Sequence, residues 1–342
     1  MPFDALLLVS FGGPEKPEDV IPFLENVLRG KNVPRERMLA VAEHYYHFGG
    51  KSPINEQNRQ LIAALQKEFA GQKINLPIYW GNRNWQPLLA DTLREMKNDG
   101  VKNALAFFTS AFSSYSGCRQ YRENIAAAQA EVGEGVPQIS KLRSFYNHPD
   151  FIGAMADQIQ KALWELPAHL REDAQVAYTA HSIPLSMARG SKYVEQLEEA
   201  CRLVSEQLGR SGDHLVYQSR SGPPTQPWLE PDVLEYLRLA HANGTRAVVL
   251  APIGFISDHM EVLYDLDTEA KNFCEQIQLP MARAATVGTH PLFVRMICEL
   301  VTERLNPDLP RRALGNLGPN HEICPENCCL SGVMRPPLTS AS

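Results

Sequence analysis

Ala5-Leu-Leu-Leu-Val-Ser-Phe11 is a near-continuous apolar run of strand length, and Gly12-Gly-Pro14 ends it. Glu18–Arg29 follows, with Val20, Ile21, Leu24 and Val27–Leu28 at helical spacing and Gly30 as a stop. A strand with apolar residues at successive positions is covered on both faces, as in a parallel sheet. The same alternation recurs downstream. Ile78–Gly81 and Ala104–Ser110 read as strands, and Asn55–Phe69, Pro87–Lys97 and Gly117–Glu131 as helices. The pattern breaks near Ser144–Pro149, where a new helix starts, and then resumes. Strands are expected at Gln175–Ala180, His214–Ser219, Arg246–Pro252 and Ala282–Val287. Helices are expected at Tyr193–Leu208, Pro231–Ala242, Ser257–Gln278 and Pro291–Leu305. Alternating strands and helices in both halves predict an α/β fold with two parallel-sheet domains, 1–148 and 149–309. The remainder, 310–342, is a tail rich in Pro, Gly, Asn and Cys without periodicity, tied down by whatever its cysteines bind.

The 342 residues carry 33 Lys+Arg against 39 Asp+Glu, a net charge of −6. That balance argues against a nucleic-acid surface, which needs a basic excess. Hydrophobic residues at 44% and charged residues at 21% exclude a disordered chain. No apolar run approaches the roughly 18 residues of a spanning helix, so no transmembrane segment is expected. The chain opens directly on a strand pattern with no basic leader, which reads as cytoplasmic. In that compartment seven cysteines suit thiols or metal ligands better than disulfides.

Ligands of parallel α/β sheets gather at the carboxyl ends of strands. The turn Ser10–Pro14 lies at one such end, but it is neither G-x-G-x-x-G nor followed by a phosphate-loop lysine. It reads as a tight turn, and no nucleotide is expected. His181, in Tyr178-Thr-Ala-His-Ser-Ile-Pro184, ends the next candidate strand, where an imidazole serves as a base or metal ligand near neutral pH. After the strand at Arg246–Pro252, Glu261, Asp265 and Glu269 recur every four residues along one helix ridge, with Asp258 one turn earlier. That ladder is either a solvated acidic face or a track for a divalent cation. A π-bulge would bring the acids into line. Tyr217–Pro231 is a proline-stiffened loop whose Trp228 walls a pocket or plugs the sheet end. In the tail, Cys324-x3-Cys328-Cys329 is too short for a zinc ribbon. Three close thiols with one distant thiol would hold an iron–sulfur cluster; the alternative is unrelated free thiols.

Five segments, in order from about residue 3 to residue 305, resemble ferrochelatase. They are Leu7-Leu-Val-Ser-Phe-Gly-Gly-Pro14, Gly49-Gly-Lys-Ser-Pro-Ile54, Thr179-Ala-His-Ser-Ile-Pro184, Tyr217-Gln-Ser219 with Gly222-Pro and Trp228-Leu, and Gly254–Asp265. The resemblance implies insertion of Fe(II) into a porphyrin in haem synthesis, with release of two protons, by two Rossmann-like domains with a porphyrin cleft between them. It implies His181 and Glu261 as the catalytic metal-site pair, and Asp265 and Glu269 as an outer acidic ridge. It implies Phe11, Arg29, Ser52 and Tyr121 as porphyrin contacts. Tyr115-Ser-Gly-Cys-Arg-Gln-Tyr121 resembles the segment that carries an internal cluster ligand, so a [2Fe–2S] cluster on Cys118, Cys324, Cys328 and Cys329 is implied. Likeness to actinobacterial-type members tilts the substrate toward coproporphyrin III over protoporphyrin IX, with Arg29, Lys31, Arg59 and Arg83 available for its extra carboxylates. A non-catalytic porphyrin carrier and a cobalt or nickel chelatase are the rival readings. The latter would have a second histidine in place of Glu261.

Overall fold

The computed structural model describes residues 3–31, 33–222 and 225–332. Pro223 and Pro224 of the predicted proline loop, and residues 333–342 of the predicted tail, lie outside the described residues. Two four-stranded parallel sheets make up the framework, each flanked by helices. The first contains β1 (Ala5–Ser10), β2 (Ile78–Asn82), β3 (Asn103–Phe108) and β4 (Gln138–Lys141), in the order β2-β1-β3-β4. The second contains β5 (Gln175–His181), β6 (His214–Gln218), β7 (Val248–Ala251) and β8 (Met281–Arg283), in the order β6-β5-β7-β8. The two sheets therefore share one strand order, and all six pairings are parallel. Every residue of β1 is fully buried, as its unbroken apolar run requires.

The helices of the first half are α1 (Val20–Leu28), α2 (Arg35–His47), α3 (Ile54–Gln72), α4 (Leu89–Asn98) and α5 (Gln120–Val132). A π turn, Tyr115–Arg119, leads into α5 and carries Cys118. Those of the second half are α6 (Pro149–Glu165), α7 (Leu185–Arg189), α8 (Tyr193–Gln207), α9 (Val233–Ala242), α10 (Met260–Tyr264), α11 (Lys271–Gln276) and α12 (Pro291–Leu305). Three elements escape the sequence reading: α2, β4 and α7. The predicted helix Ser257–Gln278 is also a composite. It begins only at α10, where His259 Nδ1 accepts from the Glu261 amide (3.2 Å), and passes through a π turn, Asp265–Ala270, before α11. The expected π-bulge is thus present.

One apolar core spans both sheets, joining Leu6, Leu105 and Phe107 to Val176, Tyr178 and Val249. Its centre is aromatic. Phe145 stacks on Phe107 (5.3 Å) and meets Phe151 and Phe293 edge-on. Beside it, charged groups lock the start of α6 to α12 and the tail. Asp150 takes both guanidinium donors of Arg295 (2.7 and 3.0 Å), and Glu299 takes Arg312 (2.8 Å). Arg143 and Glu303 form a buried two-point pair (2.8 Å each). His148, Asp150 and Glu299 group closely, but these arginines already neutralise the two carboxylates, so the cluster does not suit a cation.

His148 caps α6, its Nδ1 accepting from the Asp150 amide (3.2 Å). Burial, then the Arg143, Arg312 and Arg295 charges, push its pKa down to about 3 against the pull of Asp150. The folded state thus favours neutral His148. Its contribution to stability is fully present above the unfolded value of about 6.5 and is lost as pH falls toward 3. His148→Asn keeps a capping acceptor and removes the titration. Its melting temperature is expected to fall less than that of the wild type between pH 7 and pH 5; equal falls would rule out His148 as the source.

Candidate active site and cysteine cluster

β5 ends at His181, opposite Gln218 of β6. The loop after β7 folds onto this end. The Gly254 amide donates to Thr179 O (3.0 Å), and a Cβ on Gly254 would lie 2.7 Å from Ala180 Cα, so only glycine permits the approach. Gln218 Nε2 then donates to Glu261 O (2.8 Å) and fixes the start of α10 against the second sheet. The result is His181 Nε2 at 3.5 Å from Glu261 Oε1, with the two side chains 29% and 48% exposed. The pair is in contact yet open to a ligand.

The tautomer of His181 follows from its other nitrogen. Nδ1 faces the Ser182 carbonyl, which can only accept, so Nδ1 carries the proton. Neutral His181 therefore presents its Nε2 lone pair toward Glu261. The Tyr193 hydroxyl donates to His181 O (3.0 Å) and holds the strand end in place. Burial opposes charge on His181, but Glu261, the Ser182 carbonyl and Asp265 outweigh it and hold its pKa above the ordinary histidine value. Burial would raise Glu261; His181 and His259 overcome it and draw the carboxyl down to about 2.

The acids beyond Glu261 divide into two sets. Asp265, on the π turn, accepts from the Ser219 hydroxyl and from Gln218 Nε2 (3.4 Å). Burial, with Glu261 and Glu269 nearby, pushes it up to about 7 against the Ser219 hydrogen bond. Burial and Asp232 raise Glu269 as well. Asp258 and Asp267 instead pair with Arg283 (3.2 and 2.6 Å). Asp258, one turn before the ridge of Glu261, Asp265 and Glu269, is thus taken by a cation the sequence spacing did not reveal.

The porphyrin contacts implied by the resemblance are dispersed. Phe11 is half-buried, edge-on to Phe23 (6.2 Å), with the Arg83 guanidinium 5.5 Å from its ring. The same guanidinium lies 4.5 Å over Tyr121, which is buried against Phe108 (5.0 Å). Lys31 is close enough to Arg83 to have its pKa lowered, after the larger effect of burial. Arg29 is exposed and donates to Asn26 (2.6 Å). Arg59 pairs with Glu15 and Glu56. Ser52 is buried against Gly13, its Oγ 3.5 Å from the Ile54 amide at the start of α3. Trp228 plugs the sheet end. It bridges to Pro184 and covers Gly222, where a Cβ would lie 2.3 Å from the indole.

Across from α10 stands α2. His44 stacks face to face on Tyr264 (3.6 Å, 8°), and Gln57 of α3 accepts from the Asp258 amide (2.8 Å). Phe23, Tyr45 and Trp85 pack beneath, with Phe23 5.7 Å from Tyr45 and 6.3 Å from Trp85.

The cysteines of the tail meet Cys118. Lys141, at the end of β4, sits 3.1 Å from Cys118 Sγ and 4.0 Å from Cys324 Sγ. Cys328 Sγ is 3.5 Å from Cys329 Sγ and 3.7 Å from His321 Nε2. Cys329 adopts φ 57°, the left-handed region, and so turns two consecutive thiols toward one point. The neighbouring Cys118 thiol, then burial, push Cys324 up to about 12 against Lys141 and His321. Cys201, Cys274 and Cys298 are buried in the second half and take no part. The sequence reading did not single out His259, Ser219, Lys141 or His321. Ser219, His259 and His321 each stand within a few residues of a residue it did select.

A ferrochelatase family model matches residues 3–305. A ferrochelatase of Rhodopirellula baltica is 62% identical over 338 residues, covering 98% of this chain and 96% of the relative. The coproporphyrin III ferrochelatase of Streptomyces coelicolor is 51% identical, covering 99% and 96%; that of Frankia alni is 54% identical, covering 96% and 86%. Among solved structures, the sirohydrochlorin chelatase SirB of Bacillus subtilis subspecies spizizenii, in complex with cobalt, has the same fold. It superposes with a TM-score of 0.54 at 11% identity, covering 90% of this chain and 97% of its own. Sequence likeness along the whole chain and chelatase architecture agree: this protein belongs to the ferrochelatases, the lyases that insert ferrous iron into a porphyrin.

Proposed function

We propose that the porphyrin is coproporphyrin III and that His181 and Glu261 carry out the insertion. The observation that supports this most is the His181–Glu261 contact at a strand end, 3.5 Å long and partly exposed. A free porphyrin holds two pyrrole protons, and both leave as the metal enters. A cleft that holds the ring bent exposes its nitrogens and moves it toward the transition state. His181 Nε2 accepts a pyrrole proton while Nδ1 stays bound to the Ser182 carbonyl. Glu261, ionised and beside it, guides ferrous iron or takes the second proton. An imidazole and a carboxylate bind Fe(II) without trapping it, which delivery requires. Asp265 and Glu269 form the outward ridge by which iron arrives or protons leave. Phe11, Arg83 and Tyr121 form one wall of the ring site, with Lys31 near Arg83 and the exposed Arg29 as cations for propionates. Ser52 acts from behind Gly13. That cationic corner, and the names of the Streptomyces and Frankia relatives, favour the four-carboxylate substrate.

Anaerobic protein with Fe(II) and each porphyrin, followed by metalloporphyrin absorbance, tests the substrate. Turnover with coproporphyrin III well above protoporphyrin IX is expected. Equal or reversed preference would overturn the substrate assignment, and binding without insertion would make the protein a carrier.

The tail cysteines fit a [2Fe–2S] cluster. Four thiols crowded around one ammonium would repel one another as thiolates, and a bound cationic core relieves that repulsion. Cys118, Cys324, Cys328 and Cys329 would hold it. When bound, it cross-links the tail to the first sheet and provides a one-electron centre. A single divalent ion on His321, Cys324 and Cys328, whose ligand atoms lie within 4.8 Å of one another, is the second reading; it would carry no sulfide. We also propose a cytoplasmic location and a division into domains 1–148 and 149–309 with a tail from 310. The change of sheet between β4 and β5 supports that division. Among the described residues, no helix is long and apolar enough to cross a membrane.

A further inference from the structure

We infer that Lys141 sets the reduction potential of the four-cysteine site: its ammonium, held against Cys118 and Cys324, stabilises the extra electron of a reduced cluster. The inference rests on the cluster reading above.

Lys141 ends β4 with its ammonium 5.9 Å from the centre of the Phe108 ring, 3.1 Å from Cys118 Sγ and 4.0 Å from Cys324 Sγ. The nearby acids are committed elsewhere. Glu322 pairs with Arg304 and Arg311, and Glu123 with Arg119. A lysine placed among thiols, away from a carboxylate, loses solvation that only anionic sulfur would repay. The surroundings add to its charge. Arg119 Nη1 donates to the Glu326 and Cys328 carbonyls (2.9 and 3.2 Å) and so frames the tail turn. Arg119, Arg122 and Lys141, with Glu123, line a cavity of about 340 Å³.

Four thiolates around a doubly positive oxidised core leave two net negative charges; one electron, from a low-potential donor such as dithionite, makes three. A cation in contact with two of the sulfurs stabilises the second state more than the first. Hydrogen bonds and charge at the sulfurs are the protein's means of setting such potentials. Lys141 thus acts on the electron through Cys118 and Cys324, as a positioning residue.

The test uses the full chain, purified anaerobically, as wild type, Lys141→Met and Lys141→Arg. Iron and acid-labile sulfide are measured, visible absorbance is titrated with dithionite and mediators, and melting temperatures verify folding. Lys141→Met is expected to lower the equilibrium constant for one-electron reduction at least about tenfold, 59 mV for n = 1. Lys141→Arg, which keeps charge and donors, is expected to stay near wild type. A Lys141→Met constant within about twofold of wild type would overturn the inference while leaving the cluster intact. Wild-type protein without sulfide or visible bands would overturn the cluster reading and this inference together. If Lys141→Met does not load, Lys141→Gln decides: a lowered constant supports the role, an unchanged one removes it.

Discussion

Alanine at position 181 is expected to slow ferrous-iron insertion about 10²–10⁴-fold, the range for loss of a general base. The expectation comes from how the imidazole is held. The Ser182 carbonyl fixes the Nδ1 proton, the Tyr193 hydroxyl fixes the strand end, and Glu261 faces the free nitrogen. Alanine removes the Nε2 lone pair that faces Glu261 and leaves a void beside that carboxylate. Porphyrin binding, read by quenching of porphyrin fluorescence, should persist, because the proposed wall of Phe11, Arg83 and Tyr121 lies on the other sheet. The loss should therefore fall on the rate at saturating substrate. A variant within a few-fold of wild type would remove His181 from the chemistry.

Breaking the Arg143–Glu303 pair is the change expected to cost most stability. Their side chains are 1% and 6% exposed, and the two guanidinium bonds are 2.8 Å long. Arg143 Nη2 also donates to Arg312 O (2.8 Å), so the pair ties α12 and the tail to the turn that follows β4. Arg143→Met leaves a buried carboxylate unpaired, at about 3–5 kcal/mol. The double variant with Glu303→Leu should recover much of that loss, since an apolar replacement of a buried pair is often neutral. Exposed pairs such as Arg94–Glu131 should contribute about 0–1 kcal/mol. Thermal unfolding of the single and double variants measures the difference; a single variant as stable as wild type would reduce the pair to a surface-like contact.

The sheets were legible because burial on both faces writes itself into the sequence as unbroken apolar runs. β1 is such a run, and the five central residues of β5 are buried in the same way. Helix α2 was not legible. α2 buries only Met38 and Ala42, so it lacks the apolar stripe that marks a helix. β4, Gln-Ile-Ser-Lys, is a short edge strand with little buried surface to imprint a pattern. At the site, His181 stood out because it ends a strand and Glu261 because it opens an acidic ridge, and only the family resemblance paired them. The pairing of Asp258 could not be read, because its partner Arg283 is distant in sequence. Lys141 was invisible for the same reason: the cysteine it faces at 4.0 Å is 183 residues further along the chain. Spacing reveals what shares an element, whereas long-range partners emerge only when elements pack.

That sequence separation also bears on the order of assembly. The segment between Cys118 and the tail contains the whole second sheet, so the cysteines meet by closing a loop around finished architecture. Contacts between distant segments carry the greatest closure cost and form late. A nascent chain can complete both sheets before residue 324 has been synthesised, and only then can the cysteine site close. A cluster bound there, as proposed, would work as a terminal fastener, and its presence would report that synthesis had reached the tail and that both sheets were ready to receive it.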